Sequence, residues 1–225
     1  MDAKPLTAKA QRTRQHILET AIRLFATKGY EETTMRDIAA EAECSLGLAY
    51  RYFARKEDLV MALYQDLAAK SEAEVETLEP GTLADRYQAT MVLKLKQVTP
   101  YRETLGALFG SAMNPKSDIA VLGANTAAIR DRMTNVFKTA ITGAIDALEE
   151  PQATHVANLL YSIHLLTLLF WLYDRTPNQR ATYELVKFTR DTLALVRPFL
   201  ALPLAAKALV RLATIVEPVF GGDTK

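Results

Sequence analysis

The sequence is short of cysteine, glycine, proline and net charge, and each shortage excludes something. Among 225 residues, 27 Lys and Arg stand against 26 Asp and Glu, a net charge of +1. Disordered chains combine low hydrophobicity with high net charge, whereas 49% of these residues are apolar and the chain is nearly neutral. Nine Gly and nine Pro are too few for a collagen-like or low-complexity segment. A single cysteine, Cys44, excludes a disulfide framework. Together with the lack of a secretory pattern in the first 30 residues, it predicts a cytoplasmic protein. Taken alone, the near-zero charge also argues against a nucleic acid partner.

Metal and catalytic patterns are equally scarce. The three histidines are His16, His155 and His164. The last two are nine residues apart, which at about 100° per residue puts them on opposite faces of a helix. One cysteine and three scattered histidines make no zinc spacing. No Gly-rich phosphate loop or nucleophile motif is present. The expectation is a protein with no metal, no cofactor and no enzymatic activity.

What is present is helical periodicity. Over 12–28, Ile17, Leu18, Ala21, Ile22 and Phe25 recur at steps of three and four, and Gly29 is a natural stop. Thr34 with Asp37 three residues later reads as the start of a helix over 35–42. Ser45 opens a short helix to residue 52, and Lys56-Glu57-Asp58 begins a long one to about residue 78. After Pro80-Gly81, helices are predicted over 83–98, 101–113, 119–148, 152–173, 179–200 and 204–216, with each proline at a boundary. No alternating run predicts a strand. The fold class is all-α: a three-helix helix-turn-helix head over 1–56, then a helical-bundle body over 57–225.

Charge divides along the same line. Residues 1–56 carry ten Lys and Arg against seven Asp and Glu, and the remainder carries 17 against 19. Near-neutrality is therefore the sum of a basic head and a slightly acidic body, and it no longer counts against DNA. Two short helices joined at Glu43-Cys44 form a helix-turn-helix, whose second helix enters a major groove. Ser45 caps that helix where free N–H groups can hold a phosphate. Gly47 removes a side chain where the duplex would lie close. Arg51 can offer two parallel donors to a guanine edge. The hydroxyls of Tyr50 and Tyr52 can reach phosphates.

Gly29-Tyr30, Thr33-Thr34, Ile38-Ala39, Ala42, Ser45, Gly47, Tyr50, Tyr52-Phe53, Lys56-Glu57 and Leu59 resemble the signature of the tetracycline-repressor (TetR) family, in register and without insertion. The resemblance implies a homodimer with a DNA-binding head and a ligand-binding body, bound to a palindromic operator as a repressor and released by a small molecule. It implies operator contacts on Thr34, Arg36, Ser45, Leu46, Gly47, Tyr50, Arg51, Tyr52 and Lys56. The alternative is a helical ligand- or lipid-binding protein whose head no longer binds DNA. Two residues depart from the family's pattern. Glu43 stands where glycine is usual, so the turn is expected to relax and tilt the reading helix, because left-handed backbone costs a non-glycine residue about 1–2 kcal/mol. Cys44 stands where valine is common and reads as a small buried hydrophobe rather than a redox sensor.

In the body, 156–173 is apolar nearly all round and sits just under the length of a membrane span; it reads as a core or dimer helix, with no span expected. With a seam at Leu185, Phe188, Thr192, Val196 and Phe199, the eighth and ninth helices are expected to form a four-helix dimer bundle. Tyr101, Phe109, Met113, Phe137, Tyr161, His164, Phe170 and Trp171 are the candidate walls of a pocket for a hydrophobic effector. The helix after Pro203, with Lys207 and Arg211 on one face, is expected to pack on the body.

Overall fold

The computed structural model describes residues 7–200 and 202–216. Among these residues there is no strand. The helices are α1 (Ala8–Lys28), α2 (Met35–Glu41), α3 (Leu46–Tyr52), α4 (Lys56–Glu76), α5 (Leu83–Val98), α6 (Arg102–Met113), α7 (Ala127–Thr142), α8 (Gln152–Tyr173), α9 (Arg180–Leu200) and α10 (Pro203–Val216). The bounds of α5 and α8 fall where the sequence places them, because polar caps and prolines flank both.

Three local expectations are corrected. The helix expected over 119–148 is only α7: residues 117–126 are turns and a short 3-10 segment, and Gly143 ends the helix. Apolar residues on either side extend the helical pattern, but Arg86 Nε donates to the Ala140 carbonyl, and the Ala144 amide bonds Ile141 instead of continuing the helix. A Cβ on Gly143 would lie 2.6 Å from Arg86 Nη2. Pro198 does not mark a boundary but sits inside α9, two residues from its end, where few backbone bonds remain to be lost. Glu43 does not relax away from the turn; it takes φ of +50°, the left-handed conformation a glycine would adopt without strain.

The chain forms two compact units, which do not follow a boundary at residue 56. The first takes residues up to Asp66 together with Tyr101–Val121. Its core gathers Ile17, Leu18, Ala21 and Phe25 of α1, Ile38 and Ala39 of α2, Ala49 of α3, and Leu59 and Val60 of α4. Leu108 and Ile119 complete the same cluster, so α6 and the turn after it are part of this unit. Thr104 Oγ1 donates to the Ile22 carbonyl at 3.0 Å, and Ser111 Oγ donates to the Glu31 carboxylate.

The second unit takes Leu67–Pro100 and the residues from Leu122 onward. Tyr87, Met91, Leu95 and Val98 of α5 face inward with Phe137 and Ile141 of α7 and Val156, Leu160 and Trp171 of α8. Arginines tie the helix ends. Arg86 donates to the carbonyls of Ala140, Leu78 and Glu79 at 2.9–3.2 Å. Arg190 pairs with Asp85 at 2.6 Å, and Arg132 grips Glu72 through two bonds of 2.6 and 2.8 Å. At the end of α8, burial opposes ionisation of Asp174, but hydrogen bonds from Thr176 and Thr182 hold its carboxyl well below the usual range. The α10 helix packs on α8 and α9, as the sequence leads one to expect. Its apolar positions Leu204 and Val216 lie outside the described side chains.

Candidate nucleic-acid interface and body core

The helix-turn-helix is set by its caps. Thr34 Oγ1 accepts from the Asp37 amide at 3.2 Å while the Asp37 carboxylate accepts from the Thr34 amide at 2.8 Å, a reciprocal capping box. Those bonds, with Lys28 at 2.7 Å, hold the Asp37 carboxyl below the ordinary carboxylate range. The turn closes through the amides of Glu43 and Cys44, which reach the carbonyls of Ala40 and Ala39 at 3.1 and 3.0 Å. Ser45 Oγ then accepts from the Leu48 amide at 3.1 Å and starts α3.

On α3 the residues divide by face. Ala49 is fully buried, and Leu46 and Tyr52 pack partly against the core. Gly47, Tyr50 and Arg51 stand on the opposite, exposed face, at the three- and four-residue spacing of one helical stripe. Tyr50 is 49% exposed, a large aromatic left uncovered by the chain. A Cβ on Gly47 would meet nothing within 4 Å, so the protein's own packing does not require glycine there. Thr34, Arg36 and Ser45 are also exposed. Arg36 and Arg51 make no ion pair among the described residues. By contrast, Arg23 pairs with Glu41 at 2.8 Å, Lys28 with Asp37 at 2.7 Å and Arg55 with Asp118 at 2.5 Å.

Of the nine residues expected at an operator, the structure exposes Thr34, Arg36, Ser45, Gly47, Tyr50 and Arg51 together. It turns Leu46 and Tyr52 partly inward. Lys56 departs most from expectation. Its ammonium donates to the carbonyls of Tyr30 and Glu31 at 2.9 and 3.2 Å and lies 4.3 Å from the Tyr30 ring centre. It is a clamp on the turn before α2, not a free cation. Arg14, its guanidinium 4.7 Å from the Phe53 ring centre, is a packing residue the sequence reading missed. Cys44 is half-buried against the core, and burial pushes its thiol up, as suits a small hydrophobe.

The eight candidate pocket residues are not gathered in one place. Tyr101, Phe109 and Met113 belong to the first unit, and Met113 is 56% exposed. Phe170 is on the surface of α8, because the helix turns this residue away from the face that buries Trp171. Phe137, Tyr161 and His164 do come together inside the second unit: the His164 ring centre is 5.6 Å from Phe137 and 5.8 Å from Tyr161. Lys94, absent from the sequence-level candidates, is buried in the same core and donates to Ser71 Oγ at 3.1 Å. The available signal was its place at the inward spacing of Tyr87, Met91 and Val98 along α5.

Among the described residues one helix, α8, is long and apolar enough to cross a membrane by length and composition. Its buried stripe runs through Val156, Leu160, His164, Thr167 and Trp171. A second stripe, Leu159, Leu166, Phe170 and Tyr173, is exposed. On α9, Phe188, Leu195, Val196 and Phe199 are exposed too, with Phe188 at 68%. Thr192 of the expected seam is exposed and Leu185 partly covered.

Residues 17–63 match the family model for bacterial regulatory proteins of the tetR family, and residues 86–196 match the model for the tetracyclin repressor-like C-terminal domain. The Escherichia coli K12 protein named probable acrEF/envCD operon repressor is 36% identical over 86 residues. That stretch is 38% of this chain and only 39% of the relative's length. A TetR-family regulator from Syntrophomonas wolfei has a solved structure with a TM-score of 0.66 at 25% identity, covering 82% of this chain and 96% of that one. Another from Streptomyces coelicolor gives a TM-score of 0.64 at 26% identity, covering 91% and 89%. With both the head and the body matched to its models, and an all-helical fold shared with its solved members, the chain belongs to the TetR family of transcriptional regulators.

Proposed function

We propose that the protein is a cytoplasmic, ligand-responsive transcriptional repressor, not an enzyme, that binds a palindromic DNA operator as a homodimer. The observation that carries this reading is the exposed stripe of Gly47, Tyr50 and Arg51 on α3, next to an unpaired Arg36. A recognition helix needs a side chain free to donate to base edges and a surface flat enough to approach the duplex. Arg51 and Gly47 meet those needs. Thr34, Ser45 and Tyr50 are the phosphate contacts, and they set register rather than sequence. Lys56 supports the interface from behind by fixing the turn before α2.

The exposed apolar stripes of α8 and α9 support dimerisation through these two helices. Such contiguous surface is uncommon on a monomer and is better explained by a second copy than by lipid, since polar Thr192 interrupts the α9 stripe. A dimer with recognition helices one DNA turn apart, about 34–36 Å, would engage two half-sites together. That compensates for a modestly basic head through effective concentration. In this reading the DNA-reading surface lies within residues 1–56, and the body from 57 onward receives a small, largely hydrophobic effector near Phe137, Tyr161, His164 and Trp171. The Escherichia coli relative carries the name probable acrEF/envCD operon repressor, which favours repression over activation.

The experiment is selection of bound DNA from a random pool, followed by titration of the recovered site. Arg51→Ala should weaken that site by about 1–3 kcal/mol and relax preference at one base pair in each half-site. Equal weakening on unrelated sequences would reject Arg51 as a base reader, and a monomer by light scattering at micromolar concentration would sink the two-headed arrangement.

A further inference from the structure

The second unit buries a positive charge that its own side chains do not neutralise. Lys94 is 6% exposed. Its ammonium reaches Ser71 Oγ at 3.1 Å, the Leu67 carbonyl at 3.4 Å and Met133 Sδ at 3.9 Å, all neutral. Among the described residues it has no carboxylate partner within 4 Å. Glu74 acts on it only from farther away, and accepts at 2.6 Å from Gln97. In the same interior His164 is 3% exposed, and neither ring nitrogen has a hydrogen-bond partner. Burial pushes the Lys94 ammonium down to about 8; burial and the charge of Lys94 push His164 down to about 3.

Such groups are poor core material. Apolar residues of the same volume fill an interior better than a lone buried charge, and a buried donor without an acceptor forfeits its hydration for nothing. Here Lys94 of α5, a charge without a counter-charge, acts electrostatically on His164 of α8, whose ring nitrogens have no partner, beside Tyr161 of α8 and Phe137 of α7. A single anion would satisfy both, accepting from the Lys94 ammonium and from an imidazole N–H. The other buried cations of this unit are spoken for: Arg86 by three carbonyls, and Arg130 by the Gly123 carbonyl at 2.6 Å and Thr126 Oγ1 at 3.0 Å. The Lys94 ammonium, held by neutral and partly long contacts and without a counter-charge, matches one negative charge, which selects a carboxylate over a dianionic phosphate. A cleft lined by Ser71, Glu74, Val75, Thr90 and Leu93 reaches Ser71, a direct partner of Lys94.

We propose that Lys94 and His164 hold the head group of the effector, and that the effector is a monocarboxylic acid whose apolar body lies against Phe137 and Tyr161. This rests on the reading of the body as the effector-binding part and names the chemical class it takes. The nonpolar walls alone would accept any hydrophobic molecule; the buried ammonium makes the site choose among them.

The test is calorimetric titration of the full chain with phenylacetate, 2-naphthoate and dodecanoate, each beside its matched alcohol, with operator binding measured on the same preparation. At least one acid should bind about tenfold or more tighter than its alcohol. Lys94→Met should abolish that preference while leaving alcohol binding within about threefold, and His164→Phe should reduce it less. Lys94→Met should melt at or above the wild-type temperature, since it removes an unpaired charge; the neutral Lys94→Gln provides a second arm that should lose the preference equally. Alcohols binding as well as acids, acid binding that survives both Lys94 variants, or no acid binding at all would each overturn the proposal. If operator binding persists in those cases, the repressor reading stands without it. If acids bind through Lys94 while no DNA is retained, the repressor reading is the one that fails.

Discussion

In the unit built on α1–α3 and α6, the ion pairs Arg23–Glu41, Lys28–Asp37 and Arg55–Asp118 lie at the surface, and the core is aliphatic and aromatic. In the unit built on α5 and α7–α9, Lys94, Arg86, Arg130 and His164 lie inside. The difference separates two tasks. A reader of DNA gains from a rigid scaffold, and apolar packing gives one whose integrity does not depend on a bound molecule. A receptor must differ in free energy between its filled and empty states, and polar groups left unsatisfied when empty supply part of that difference. Arg86 and Arg130 are buried but bonded to backbone carbonyls, so they are structural ties. Lys94 is buried without a counter-charge and His164 without a hydrogen-bond partner, so they can respond.

The strongest way to break this contrast is at the head's own core. Phe25, fully buried and 5.2 Å edge-on from Tyr30, should cost about 3–5 kcal/mol when changed to alanine, measured by denaturant unfolding at fixed protein concentration. A smaller loss would mean that the head draws its stability from elsewhere. On the other side of the contrast, His164 should make the body acid-sensitive. Its folded pKa, about 3, lies below the unfolded value of 6.5. The unfolded chain therefore binds the extra proton between those values, and stability falls as pH drops through that window. The loss should reach roughly 3–5 kcal/mol at its lower end. His164→Phe should flatten this part of the profile relative to wild type; identical profiles would show that the imidazole titrates normally.

Lys56 sharpens the comparison more gently. As a clamp on the Tyr30 and Glu31 carbonyls, its change to methionine should lower head stability by about 1–2 kcal/mol. The salt dependence of operator binding should stay unchanged; a slope reduced by about one counterion would mark it as a phosphate contact instead. The smallest effect belongs to the turn. Glu43→Gly should stabilise the head by up to about 1 kcal/mol by relieving left-handed strain, set against the greater freedom of glycine when unfolded. A loss of stability would mean that strain at Glu43 is negligible.

Much of the fold was legible because its punctuation is local. The Thr34 capping box, Ser45 before α3 and the prolines around α8 fix helix ends through interactions spanning three or four residues. What was hidden depends on distant partners. The end of α7 falls where Arg86, more than fifty positions earlier, donates to the Ala140 carbonyl and leaves no room for a side chain at Gly143. The exposed face of α3 could be assigned from pattern alone, whereas the inward turn of Lys56 depends on carbonyls 25 and 26 residues away. Lys94 was overlooked because a lysine reads as surface by composition; its helical spacing with Tyr87 and Met91 held the contrary information.

The membership of α6 in the first unit has a consequence for how the protein is made. Leu108 and Ile119 fill the same core as Ile17 and Phe25, so a ribosome that has emitted only the helix-turn-helix has not yet delivered all of its packing. At about 5–20 residues per second, several seconds separate Leu59 from Ile119. During that interval the basic, DNA-seeking segment is a nascent chain with an unfinished interior, and a reader competent to hold an operator is assembled only when α6 and the turn after it have also been synthesised.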